Sequence, residues 1–341
     1  VTSDLFLRAC ARQPVERTPI WLMRQAGRYQ PEYRELRKKH SMMELCTTPE
    51  LAAEVTLAPL RRFDFDAAIL FSDLTMPFTP MGAPFVLEEG KGPIVDSPIR
   101  TAADVDRLRL IEPEEDLPFA LETIRLLRRE LTVPLIGFTG APFTMAAYLV
   151  EGSGVRDCPL TRGLMYSDSS TWHRLMEILA ENALRYLTAQ IKAGAQAVQL
   201  FDSWVGVISP DNYREYLLPH MRHIFEGLKP LGVPAIHFGT GTSALLEVMR
   251  EAGGDVIGVD WRISLDTAWS RIGYDRAVQG NLDPIVLLSS PEAVRRHATR
   301  VLQQAAGHPG HIFNLGHGIL PGTPLENVSL LVDLVHEGVP A

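Results

Sequence analysis

Lysine is scarce in this 341-residue chain. Only five of its 33 Lys and Arg residues are lysines: Lys38, Lys39, Lys91, Lys192 and Lys229. None ends a strand-like run, so chemistry through a lysine Schiff base or pyridoxal has no residue to carry it. Cysteine is scarcer still. Cys10, Cys46 and Cys158 lie far apart with no CxxC, which excludes a disulfide framework and a thiolate zinc cluster. His220 and His223 share a helical stretch without a third ligand, and His237-Phe238-Gly239 has no partner cysteine, so no metal is expected. There is no G-x-S-x-G elbow and no P-loop. No apolar run reaches the ~20 residues that span a bilayer, and no signal peptide is expected before the first motif. Positive charge is also missing overall: the net charge is −8. A broad nucleic-acid surface is thereby disfavoured, and an anionic ligand would have to be held by local arginines. The expectation is a soluble, cytoplasmic protein.

What is present is alternation. Eight short, apolar, strand-like runs occur at 18–24, 64–71, 133–140, 195–203, 233–240, 255–260, 277–283 and 311–318. Eight helical patterns are interleaved with them, at about 48–62, 118–131, 168–193, 210–229, 242–252, 264–272, 291–306 and 324–337. In the third, Trp172, Leu175, Met176, Leu179, Ala183, Leu187 and Ile191 recur at helical spacing, and Gly194 suits the C-terminal cap. Ser209-Pro210 and Ser290-Pro291 each read as an N-cap followed by proline in the first turn. The strands do not alternate in polarity, as suits buried parallel strands. Eight β-then-α units in a chain of this size point to a (β/α)8 TIM barrel, read as one α/β domain over 1–341. A doubly wound sheet is the competitor. Two insertions, 73–115 and 138–167, leave C-terminal strand ends, where barrel enzymes place active-site loops.

The strand ends carry a consistent set of polar residues. Arg24, Gln25 and Arg28 follow the first run, with Gly27 to turn the chain between the arginines. Asp73 follows the second, and Asp202 and Ser203 the fourth. His237, Asp260, Asn281 and His317 end later runs. All are expected to converge on one mouth. Taken singly, each has a plain structural reading: Asp73 as a cap, Ser203 as a hydroxyl turn, Tyr148 as a core aromatic, His317 as a packed histidine. "GTGTSA" (239–244) imitates a dinucleotide fingerprint, with Asp260 at a suggestive distance. A tight βα turn explains it better.

Longer motifs go further. "PIWLMRQAGRYQPEYRE" (19–35) and "GFTGAPFTMAAYLVEG" (137–152) resemble the two signatures of the uroporphyrinogen decarboxylase family. "FSD" (71–73), "FDSWVG" (201–206), "VQGNLDP" (278–284) and "FNLGHGILPGTP" (313–324) match it in order and spacing. The resemblance covers essentially the whole chain. It implies a (β/α)8 barrel, commonly homodimeric, working without cofactor or metal. The implied reaction converts uroporphyrinogen III to coproporphyrinogen III, four acetate side chains losing CO2 to become methyls. It further implies substrate contacts at Arg24, Gln25, Ala26, Gly27, Arg28, Asp73, Tyr148, Ser203 and His317, and catalytic roles among Asp73, Arg28, Arg24, Tyr148 and His317. Two alternatives stand beside this one: a corrinoid-related methyltransferase of the same barrel ancestry, and a non-catalytic tetrapyrrole-binding protein.

Overall fold

The computed structural model describes residues 3–88, 90–154 and 156–338. Seven parallel strands form one curled sheet: β1 (Ala68–Ile69), β4 (Leu135–Gly140), β5 (Ala197–Asp202), β6 (Ala235–Gly239), β7 (Val256–Gly258), β8 (Ala277–Gln279) and β9 (His311–Ile312), paired in that order. An antiparallel hairpin, β2 (Phe85–Glu88) and β3 (Gly92–Val95), stands apart. The first strand-like run closes the ring as a single stave. Phe313 N–H donates to Pro19 C=O (2.8 Å) on one side, and Asp66 N–H donates to Ile20 C=O (2.8 Å) on the other. The run expected over 18–24 is therefore one bridge pair at Ile20, not a ladder. Its chain leaves the sheet early because Arg24 turns it.

Side chains inside the ring fasten that stave. Trp21 Nε1–H donates to Gln279 Oε1 (2.9 Å), and Gln279 Nε2 donates to Gln199 Oε1 (3.0 Å). All three residues are buried, so each polar atom needs such a partner. The chain of amides crosses from the first stave through β8 to β5, just below Arg24.

The outer layer follows the helical spacing closely. The helix Ser169–Ala193 buries Trp172, Leu175, Met176, Leu179, Ala183 and Leu187, and ends at Gly194 with φ 127°. Each fully buried aliphatic side chain on that face contributes ~1.5–3 kcal/mol. Ser209 and Ser290 cap as expected, accepting from the N–H groups of Asn212 and Ala293. Two helices differ from expectation. The stretch 210–229 breaks into Pro210–Tyr216 and Leu218–Leu228 at Leu217, because Pro219 has no N–H to continue the ladder and restricts the residue before it. The helix expected from 242 begins only at Leu246. Residues 241–245 are a turn instead: Gly241 N–H donates to Asp260 Oδ2 (2.6 Å) and Leu245 N–H to Thr242 C=O. The glycine-rich stretch thus spends its amide on Asp260, as a tight βα turn should.

The 73–115 insertion holds the hairpin, whose turn uses left-handed Gly90 and Gly92 (φ 81° and 85°). Val95 N–H donates to Gly152 C=O, fastening it to the end of the helix Pro142–Glu151 in the second insertion. Both insertions sit at the C-terminal rim of the barrel.

Candidate active site

Arg24 is the turning point. Its φ is +60°, a left-handed conformation that costs a non-glycine residue on the order of 1–3 kcal/mol and clusters at functional sites. Its neighbours hold it there. Met23 N–H donates to Asn314 Oδ1 (3.0 Å), Ile319 N–H donates to Met23 C=O (2.9 Å), and Gln25 N–H donates to Leu22 C=O (2.9 Å). Gly27 does not make the turn, contrary to expectation. It instead gives room to the Arg24 carbonyl, which a Cβ there would meet at 3.0 Å.

Gln25 turns its side chain inward. It is 1% exposed, with Oε1 accepting from Leu22 N–H (3.1 Å) and Nε2 donating to Ala67 C=O (3.0 Å). Tyr29 O–H donates to its carbonyl. The Gln25 side chain therefore braces the turn, with both of its polar ends already used. Arg24 and Arg28 are both exposed, and among the described residues neither guanidinium is given an ion pair or hydrogen bond. Several other exposed arginines do pair with carboxylates, Arg61 with Glu54 and Arg109 with Asp116 among them.

His317 lies between glycines that let other elements approach. A Cβ on Gly316 would lie 2.4 Å from Trp261 N, and one on Gly318 would lie 2.4 Å from Arg24 Cδ. The Arg24 side chain thus runs along Gly318 beside His317, while the Trp261 ring meets His317 edge-on at 6.5 Å. Burial, then Arg24, then Arg262 push His317 down to about 4 against a smaller upward pull from Asp260. His317 is a neutral imidazole at neutral pH.

Asp73 sits half-buried past β1. Its Oδ1 accepts from Thr75 N–H (2.9 Å) and Thr75 O–H (2.5 Å). Among the described residues, its Oδ2 accepts no hydrogen bond and no cation pairs with the carboxylate. Its charge reaches Tyr148: burial raises that phenol most, Asp73 raises it further and Arg24 lowers it. Asp73 and Arg28 both act on Tyr33 as well, whose phenol is raised chiefly by burial. Arg24, Arg28, Asp73, Tyr148 and His317 therefore form one electrostatic neighbourhood. Ser203 joins it through the next residue, since the Trp204 ring lies edge-on to Tyr148 at 6.0 Å.

A buried clamp aligns the Tyr148 and Ser203 segments. Thr144, one turn before Tyr148, donates to Asp202 Oδ1 (2.7 Å) and accepts from Trp204 N–H (3.2 Å). Asp202 is fully buried, and burial raises it to about 7. Asp202 therefore serves the clamp behind the mouth and does not face it. His237 turns away too. It is fully buried, with Nδ1 3.3 Å from Met249 C=O and its ring against Phe225 in the helical layer. The Asn281 Nδ2 group donates to the carbonyls of Asp260 and Ile263. Among the described residues, no three His, Cys, Asp or Glu side chains gather as a metal ion requires. Sequence reasoning missed Trp204, Thr144 and Arg262. "FDSW" and "DWR" signalled the first and last only as polar or aromatic residues beside a strand end.

Burial of histidines sets an acid limit. His220, His237, His311 and His317 are each held at about 4, burial being the largest cause. Unfolded histidine titrates near 6.5. Between about pH 4 and 6.5 the unfolded chain binds more protons, so stability falls as pH drops through that window. Asp202, held at about 7, acts in the opposite sense, disfavouring the fold as pH rises from about 4 to 7. Four groups oppose one. Urea midpoints measured across pH 4 to 7 are expected to rise, with a flat profile contradicting the burial of these imidazoles.

Residues 2–338 match the family model described as uroporphyrinogen decarboxylase (URO-D). The uroporphyrinogen decarboxylase of Sorangium cellulosum is 58% identical over 335 residues, covering 98% of this chain and 96% of that protein. That of Carboxydothermus hydrogenoformans is 53% identical over 337 residues, again covering 98% and 96%. Among solved structures, a methyltransferase from Methanosarcina mazei superposes with TM-score 0.76 at 22% identity, covering 97% of this chain and 96% of that one. That likeness speaks to the barrel fold alone.

Proposed function

The chain belongs to the uroporphyrinogen decarboxylase family, and from that we propose how its mouth carries out the family's reaction. The protein is a carboxy-lyase acting on uroporphyrinogen, and the full-length identity to proteins of that name carries the assignment. The methyltransferase alternative loses its footing, because His237 faces the helical layer and Gly239 stands two residues after it.

The substrate offers four pyrrole N–H donors at its centre and eight carboxylates at its rim. Asp73, with Oδ2 open, is an acceptor-only anion suited to the centre. Arg24 and Arg28, unpaired and exposed, suit the rim. Ala26 and Gly27 shape the turn between them, and Ser203 offers a hydroxyl. Protonation of a pyrrole ring carbon creates a cation, which Asp73 stabilises where charge develops. The C–C bond to the carboxylate then breaks, its electron pair neutralising the ring as CO2 leaves. The exocyclic methylene takes a proton to become methyl, and the ring carbon returns its own. Each acetate consumes one proton net. The ring is its own electron sink, so this reading calls on no cofactor. His317, neutral between two guanidiniums, orients a carboxylate and does not deliver the proton. Tyr148 stays a protonated phenol beside Asp73, able to donate a hydrogen bond.

Gly318→Ala isolates one part of this arrangement. The added methyl would first meet the flexible stem of Arg24, so the fold should survive while the guanidinium moves. A displacement of ~1 Å in a positioned group costs up to ~100-fold. A tenfold or greater loss in kcat/KM with an unchanged melting point is expected. Gly316→Ala meets backbone instead and should lower the melting point.

A homodimer, cytoplasmic placement and no nucleic-acid partner belong to the same reading. The charge of −8 supports the last, and light scattering tests the first. The decisive assay is anaerobic incubation with uroporphyrinogen III followed by chromatography of the oxidised products. Hepta- through tetracarboxylate porphyrins are expected. Bound but unaltered octacarboxylate would favour a carrier instead.

A further inference from the structure

Two arginines are few for eight carboxylates, particularly in a mouth that also holds Asp73 and a chain of charge −8. A third cation stands where it could share the task. Past β7 the chain reaches Asp260, which is 1% exposed, then Trp261 and Arg262. Asp260 Oδ1 accepts from Arg262 N–H (3.1 Å), and its Oδ2 accepts from Arg262 Nη1 (2.5 Å) as well as from Gly241 N–H. The Arg262 guanidinium lies over the Trp261 ring, 4.0 Å from its centroid. That ring is the one set edge-on to His317.

Arg262 is therefore held from two directions, by a buried carboxylate and by an aromatic face. Stacking fixes the plane of the fork, and the carboxylate fixes its rotation within that plane. The side chain is still 47% exposed, and among the described residues Nε and Nη2 are given no hydrogen bond. A pre-oriented guanidinium with a free edge is poised to grip a carboxylate. The Arg24 stem packs against Gly318 on one side of His317, and the Trp261 backbone against Gly316 on the other.

We infer that Arg262 is a third anchor for a peripheral carboxylate of the substrate, set across His317 from Arg24 and held ready by Asp260 and Trp261. The inference rests on the decarboxylase reading and adds a residue to its binding surface. A plain surface ion pair would look similar in the free protein, so the test must separate the two.

The test compares wild type, Arg262→Gln and Arg262→Lys for KM with uroporphyrinogen III across a series of salt concentrations, with melting points measured in parallel. Loss of one charge-assisted contact predicts about a tenfold rise in KM for Arg262→Gln. A shallower dependence of KM on salt is also expected, because one fewer charge is being screened. Arg262→Lys should recover part of the affinity while losing the stacked, two-pronged geometry. Unchanged KM and an unchanged salt slope, with only the melting point lowered, would overturn the anchor and leave a structural pair. Wild-type protein that binds the substrate and releases no CO2 would instead overturn the decarboxylase reading. That failure shows before any variant is compared.

Discussion

Asp73→Asn should leave the fold intact and reduce kcat by about 100- to 1,000-fold, the cost of losing one preorganised charge that faces a developing charge. The fold survives because Oδ1 does the structural work, accepting from both the N–H and the O–H of Thr75. An asparagine carbonyl can take both bonds. What changes is the other atom. Oδ2, open to the mouth, becomes an NH2 group that points donors at the pyrrole donors and carries no negative charge. Binding should weaken together with turnover. Steady-state kinetics with melting points would check this, and a fully active Asn variant would remove Asp73 from the centre of the mechanism.

The second large effect is on stability. Gln190→Leu should lower the unfolding free energy by ~2–6 kcal/mol. Gln190 is fully buried in the helix Ser169–Ala193, yet it acts as part of the sheet. Strand β1 pairs with β4 only at Ala68 and Ile69, with a last bond from Leu70 N–H to Ile136 C=O. Beyond that point the side of β4 facing β1 has no neighbouring strand. There Phe138 N–H donates to Gln190 Oε1 (2.8 Å) and Phe138 C=O accepts from Gln190 Nε2 (2.9 Å). Gly137 gives the amide its space, since a Cβ there would lie 2.3 Å from Oε1. Leucine matches glutamine in size but leaves two buried backbone groups unpaired, at ~1–3 kcal/mol each. Urea unfolding checks the figure, and a loss below ~1 kcal/mol would show that the gap is filled in another way.

The barrel was legible because its signals are local. Runs of buried β-formers and helical spacing survive in any window of the sequence, and the serine–proline caps at Ser209 and Ser290 fix where two helices begin. What escaped depends on contacts between distant residues. The first stave shrinks to Ile20 because Arg24 adopts a left-handed turn, which Asn314 and Ile319, far off in the sequence, help to hold by meeting Met23 in space. The motif around Arg24 and Arg28 marked the right place but not the division of labour within it. Gln25, expected to touch substrate, spends both polar ends inside the protein. Asp202 ends β5 and His237, expected at a strand end, lies in the middle of β6, and each side chain faces the helical layer. Residues near a strand end can point into the mouth or behind it, and in short, unalternating strands composition does not distinguish the two. Arg262 was passed over for a related reason. Its meaning comes from Asp260, Trp261 and His317 together, and His317 lies more than 50 residues away.

The central claim is that one carboxylate at the middle of the mouth faces the pyrrole nitrogens while arginines hold the rim. A crystal structure with coproporphyrinogen III bound tests it most directly. The account predicts pyrrole nitrogens within hydrogen-bond distance of Asp73 Oδ2 and propionate oxygens on Arg24 and Arg28. A macrocycle bound with its nitrogens away from Asp73, or with the arginines free, would contradict it.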